Sequence, residues 1–239
     1  MKTYRGDLIK FQNKLKRREP FAFSRYGDGE LGILMGRLNR YPEFKYNPED
    51  PTDSIVRERL LASFRYKSER YYVGISCPEC IGEEKFEWAK RTSGQDDAHL
   101  TWATLFVNSN YGCYRHEVVP IFEEYDVVLV CKRPATLQNL PFSVCKDFRV
   151  GSNAWKDDYN LVEEIVGYVK QENIKGSLFL LCAGPFSCIL AHQLHRLSQE
   201  NTYLDIGSTL DPFLFGSAGL TRRYLLGDKT LLEKTCIWK

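Results

Sequence analysis

Asp126-Val127-Val128-Leu129-Val130-Cys131 is the stretch on which the fold class turns. After one acid, five apolar residues follow without the polar alternation of a half-exposed strand, so both faces of this strand must be covered. The run predicts a central strand. Ser177-Leu178-Phe179-Leu180-Leu181-Cys182 reads the same way and leads into Ala183-Gly184-Pro185. Ile189, Leu190, Leu194 and Leu197 then follow at helical spacing, with proline in the first turn, where its missing N–H is harmless. Working outward, strands are predicted over residues 21–26, 71–76, 144–150 and 203–206. Leu8, Phe11 and Leu15 place an amphipathic helix before Pro20, and further helices are predicted over residues 54–65 and 157–172. Residues 83–107 read as mainly helical with a break at Gly94, although Leu105-Phe106-Val107 suits a strand equally well. Strands alternating with helices imply parallel pairing through right-handed crossovers, hence a three-layer α/β/α sandwich with a mostly parallel sheet, in a single domain over residues 1–239.

Composition narrows the function. A chain 43% apolar, with 14 Tyr, 14 Phe and 4 Trp, can build a core and is not disordered. With 33 Lys and Arg against 31 Asp and Glu the formal charge is only +2, so neither a nucleic acid nor an anionic membrane is an expected partner. The first 18 residues are too interrupted by charge for a signal peptide, and no later run is long enough for a transmembrane segment; a cytoplasmic protein is expected. Eight scattered cysteines do not make a disulfide scaffold. Only Cys77-Pro78-Glu79-Cys80 has ligand-like spacing, and without a second such pair it reads as two unpaired thiols at a strand end. G-x-G-x-x-G, the Walker loop, G-x-S-x-G and H-E-x-x-H are all missing, which leaves dinucleotide, ATPase, hydrolase and zincin readings without support.

In parallel sheets ligands sit beyond the carboxyl ends of the strands, and three such places carry chemistry. Arg25-Tyr26-Gly27-Asp28-Gly29-Glu30 sets two carboxylates two residues apart in a loop that glycine makes tight. Such a D-x-E pair can hold Mg²⁺ or Mn²⁺ when the substrate brings a diphosphate; equally, Glu30 can be the first-turn acid of a helix. The Gly184-Pro185 turn offers backbone N–H groups to a phosphate, or is an ordinary strand-to-helix turn. His192 and His195, three apart on the following helix and without a third ligand nearby, are expected to pack there. Asp205-Ile206-Gly207-Ser208, followed by Asp211, suits a polar ligand, and Arg222 downstream can clamp a phosphate or simply be solvated.

Residues 23–30, Asn153-Ala154-Trp155-Lys156-Asp157-Asp158-Tyr159, Ala183-Gly184-Pro185 and Asp205-Ile206-Gly207-Ser208 together resemble the GT-D fold glycosyltransferases, in the right order over most of the chain. The R-[YF]-G-D-G-E hexapeptide is the most specific element. The resemblance implies a Rossmann-like enzyme that moves a sugar from a nucleotide diphosphate sugar, a UDP-sugar first among the candidates, to a hydroxyl of a glycan or glycoconjugate. It implies a divalent cation, Mn²⁺ or Mg²⁺, at Asp28 and Glu30. Donor binding falls to Arg25, Tyr26, Gly27, Gly184, Pro185, Gly207, Ser208 and Arg222. Asp205 or Asp211 is left to deprotonate the acceptor or to hold sugar hydroxyls, and Asp205 is expected to stay solvated unless it caps the Gly207 turn. Ser208 and Asp211 depart from the D-I-G-H that many members carry, which touches the sugar pocket. A non-catalytic nucleotide-sugar or glycan-binding module and a metal-dependent phosphoesterase are the alternatives; the latter wants more clustered ligands than this chain offers.

Overall fold

A computed structural model describes residues 2–238. Among the described residues one sheet holds seven strands: β1 (Ala22–Tyr26), β2 (Tyr71–Ile75), β3 (Leu100–Trp102), β4 (Val127–Lys132), β5 (Lys146–Val150), β6 (Leu178–Leu181) and β7 (Thr202–Asp205). All pairings are parallel and the order is β3-β2-β1-β7-β6-β4-β5. Successive side chains of a strand pass to opposite faces, and the interior strands feed two separate hydrophobic clusters in this way. In β4, Val128 and Val130 join one cluster and Val127, Leu129 and Cys131 the other; in β6, Phe179 and Leu181 part from Leu178 and Leu180. The helices Pro51–Arg65, Asn160–Gln171 and Pro185–Leu197 cover the first face, and Tyr4–Lys16 with the helical turns of residues 108–124 covers the second. The result is the three-layer α/β/α sandwich.

Three expectations are corrected. The apolar run at β4 lies one strand in from the edge, and β7 is in the middle. A continuous apolar run reports that both faces are covered, which holds for any interior strand. Residues 83–107 are not mainly helical: the helix Glu83–Ser93 ends at Gly94 in the left-handed region (φ +64°), and β3 follows. Three residues at a sheet edge are too few to show a period. The D-x-E carboxylates belong to the first turn of the helix Asp28–Leu34, not to a loop.

β2 and β3 lie on one side of β1, and β4 to β7 on the other. The winding direction therefore changes at the β1–β7 junction, where open parallel sheets leave a crevice for ligands.

Candidate active site

Each parallel strand delivers its carboxyl end to one edge of the sheet, and a cleft runs along that edge. Gly27, Ser76, Thr104, Lys132, Ser152, Gly184 and Ser208, one from the end of each strand, line its two lobes, which share Arg25, Glu43, Phe44, Ser208 and Arg222. The wider lobe encloses about 500 Å³ and the narrower about 80 Å³.

Arg25 stands at the β1–β7 junction. Its backbone N–H donates to Asp205 Oδ2 at 3.2 Å, its Nε lies 3.7 Å from Asp205 Oδ1, and Nη1 donates to the Ala103 carbonyl at 3.4 Å. The guanidinium lies over Gly207, whose φ of +56° favours glycine and where a Cβ would collide with it. Nε itself is buried without a hydrogen-bond partner.

Glu30 is 3% exposed, and its Oε2 accepts from the Gly27 N–H at 3.0 Å, closing the first helical turn. Burial pushes its carboxyl up to about 7, against the pull of Arg25. Burial also raises Asp28, against nearby Lys85. Both carboxylates line the wide lobe.

Of the two readings of Asp205, the structure shows the cap of the Gly207 turn and not the solvated acid. Asp205 is 1% exposed, and it accepts from the backbone N–H groups of Arg25 and Gly207, the latter at 3.2 Å. Burial raises it to about 6. This is a carboxylate that joins two strand ends, not one solvated enough to meet an acceptor. Asp211 lines the narrow lobe in the first turn of the helix Asp211–Phe215, also raised to about 6 by burial, with Lys132 and Arg222 opposing.

Arg25, Gly27, Asp28, Glu30, Gly184, Gly207, Ser208, Asp211 and Arg222 are thus brought together on the cleft. Tyr26 and Pro185 are not: Tyr26 is fully buried with its hydroxyl 2.8 Å from Ser63 Oγ, since alternate residues of β1 face opposite layers, and Pro185 is buried in the first turn of its helix. The stretch 153–159 is a brace behind the site. Asp158 Oδ2 accepts from the Gly151 N–H at 2.6 Å, Trp155 is buried, and Lys156 pairs with Asp53. His192 and His195 pack on Tyr66, and burial lowers both to about 4.

Sequence reasoning missed Glu43, Phe44, Lys132 and Tyr224. Phe44 covers Gly29, where a Cβ would collide with its ring, and reaches over to Gly184, and Glu43 pairs with Lys132 at 3.1 Å. Tyr224 Oη lies 2.9 Å from Ser208 Oγ. Lys132 ends an evident strand and was findable by the strand-end rule; the proline-rich connection that supplies Glu43 and Phe44 carries no such signal.

A hard divalent cation suits the donor set. Asp28 and Glu30 offer carboxylate oxygen on one cavity wall, and a cation there would offset the cost of ionising the buried Glu30. Among the described residues no third carboxylate converges with them, so water and substrate oxygens would complete the shell.

No protein-family model and no curated protein matches the chain. Solved structures do. It is similar to a glycosyltransferase (DUF1792) from Streptococcus sanguinis, at TM-score 0.60 and 15% identity over 84% of this chain and 80% of that one. It is likewise similar to the domain of unknown function 1792 described as having a distinct glycosyltransferase fold, at TM-score 0.55 and 17% identity over 84% and 76% of the two chains. At this identity the likeness is one of fold: this chain shares the fold of domain of unknown function 1792, which is described there as a distinct glycosyltransferase fold.

Proposed function

We propose that the chain is a glycosyltransferase that takes a sugar from a nucleotide diphosphate donor, a UDP-sugar being the first to test, and passes it to a hydroxyl of a glycan or glycoconjugate. The observation that carries this reading is the cleft at the β1–β7 junction, where Arg25 and Arg222 line both lobes, Asp28 and Glu30 the wide one, and Lys132 and Asp211 the narrow one. The shared fold supports it. Negative charge develops on the departing diphosphate; Arg25, held by Asp205 and the Ala103 carbonyl, is a guanidinium preset to receive it, and the exposed Arg222 lines the same cleft. Asp28 and Glu30 would hold a divalent cation, Mn²⁺ or Mg²⁺, which when bound supplies further neutralisation of the diphosphate. Asp211 is the better candidate base: it borders the cleft, and a carboxyl raised to about 6 is still mostly ionised at neutral pH yet more basic than a solvated one. Asp205 is a positioning residue that fixes Arg25 and the Gly207 turn.

Product analysis with a panel of nucleotide sugars and Mn²⁺ tests the reading. Acceptor-dependent release of nucleoside diphosphate is expected, abolished by excess chelator. Asp211→Asn should lose about 10²-fold or more in transfer rate with its melting temperature kept, whereas Asp205→Asn should lose stability first. Phosphate release from simple esters, or donor binding without turnover, would favour the phosphoesterase or the binding module instead.

A further inference from the structure

The sequence offers one C-x-x-C pair, and the fold adds a third sulfur. Cys77 and Cys80 follow β2, and the end of the chain returns to place Cys236 beside them, all three Sγ atoms lying within 4.8 Å of one another. Cys77 and Cys80 Sγ are 3.5 Å apart. Tetrahedral zinc with Zn–S bonds of about 2.3 Å holds its sulfurs roughly 3.8 Å apart, so little movement separates this cluster from a coordination triangle. None of the three is in a disulfide.

Polar groups meet the sulfurs from outside the cluster, two of them, Lys234 and Asn108, as donors. Lys234 Nζ lies 3.1 Å from Cys80 Sγ, the Thr104 hydroxyl 3.4 Å and the Asn108 amide nitrogen 3.8 Å from Cys236 Sγ. Buried neutral thiols need no such company, whereas metal-bound thiolates take N–H and O–H donors as outer partners. Cys77 and Cys236 are buried, 0% and 2% exposed, while Cys80 also lines a cavity of about 200 Å³ with Asp28 and Lys85, leaving space for a fourth ligand on that side.

We infer that Cys77, Cys80 and Cys236 form a zinc site that clamps the C-terminal segment to the carboxyl end of β2. Residues 234–238 belong to no regular element and are held by side chains and single hydrogen bonds: the Ser109 N–H donates to the Lys234 carbonyl at 3.2 Å, Thr235 Oγ1 lies 3.3 Å from Ser109 Oγ, and Trp238 packs edge-on against Trp102 and Phe86 under the Lys2 ammonium. A metal bridge supplies the cross-link that a strand would otherwise give. The turns just upstream bring Arg222 and Tyr224 to the cleft, so the clamp also holds one wall of it. Binding is accompanied by loss of the thiol protons to solvent, and zinc occupancy falls as pH is lowered.

The test uses the full chain purified in reductant without added metal. About one equivalent of Zn²⁺ per chain is expected, not displaced by excess Mg²⁺, which separates it from a hard cation at Asp28 and Glu30. Replacement by Co²⁺ should give an intense thiolate charge-transfer band and tetrahedral d–d bands. Cys236→Ser should lower bound Zn²⁺ by about 10-fold or more, Lys234→Ala should weaken it by about 10-fold, and Cys145→Ser, an exposed thiol outside the cluster, should leave it unchanged. Absence of zinc together with a featureless Co²⁺ spectrum in the unsubstituted protein would overturn the inference, as would a disulfide between any two of the three in that preparation.

Discussion

Arg25 shows how much of the site rests on a single side chain. One guanidinium faces two buried carboxyls, Asp205 and Glu30, and burial raises both. Glu30 goes from 4.5 to about 7 on folding, so the folded state binds its proton more tightly than the unfolded chain does. The stability this gives is complete below about pH 4.5 and is lost as pH rises through about 7. Glu30→Gln keeps an acceptor for the Gly27 N–H and removes the charge. In chelator it should be more stable than the parent at pH 8, by up to about 3 kcal/mol, with the advantage gone near pH 4.5. Urea unfolding of both proteins across that range checks it, and a variant less stable at pH 8 would mean that Arg25 holds Glu30 ionised. The hexapeptide around Arg25 was legible because several unusual residues fall in one strand-end turn. The inward direction of Asp205 was not, because the sequence does not say which of the small residues around it leaves space for a second strand's backbone.

Among the elements, the β7 turn is where backbone conformation and site chemistry meet. Gly207 and Gly216 share a φ of +56°, but a Cβ at Gly207 meets Arg25 while one at Gly216 meets nothing. Gly207→Ala and Gly216→Ala should each cost about 1 to 3 kcal/mol of stability from backbone strain, and only Gly207→Ala should also weaken UDP binding, by displacing the guanidinium. Equal binding in the two variants would remove Arg25 from the donor site. Elements with long apolar runs, β4 and β6, were legible because burial on both faces leaves a continuous signal. β3 was not, being short, and residues 108–124 carry mixed helical turns that no single period describes.

For the whole molecule, the alternation of strands and helices dictates the layers, and the strand ends point to the cleft. What could not be read is what long-range closure brings: the Glu43–Lys132 pair, the Phe44 cover and the arrival of Cys236 all join segments far apart in sequence, with no local pattern to announce them. Among the described residues no helix is long and apolar enough to cross a membrane. The proposed function requires the cleft to take a nucleoside diphosphate, which calorimetric titration reads without knowledge of the acceptor. With Mn²⁺ present, one of UDP, GDP or dTDP should bind at least about 10-fold more tightly than its nucleoside, and Arg222→Ala should remove most of that difference. Equal affinity for diphosphate and nucleoside, or no binding by any of the three, would contradict it.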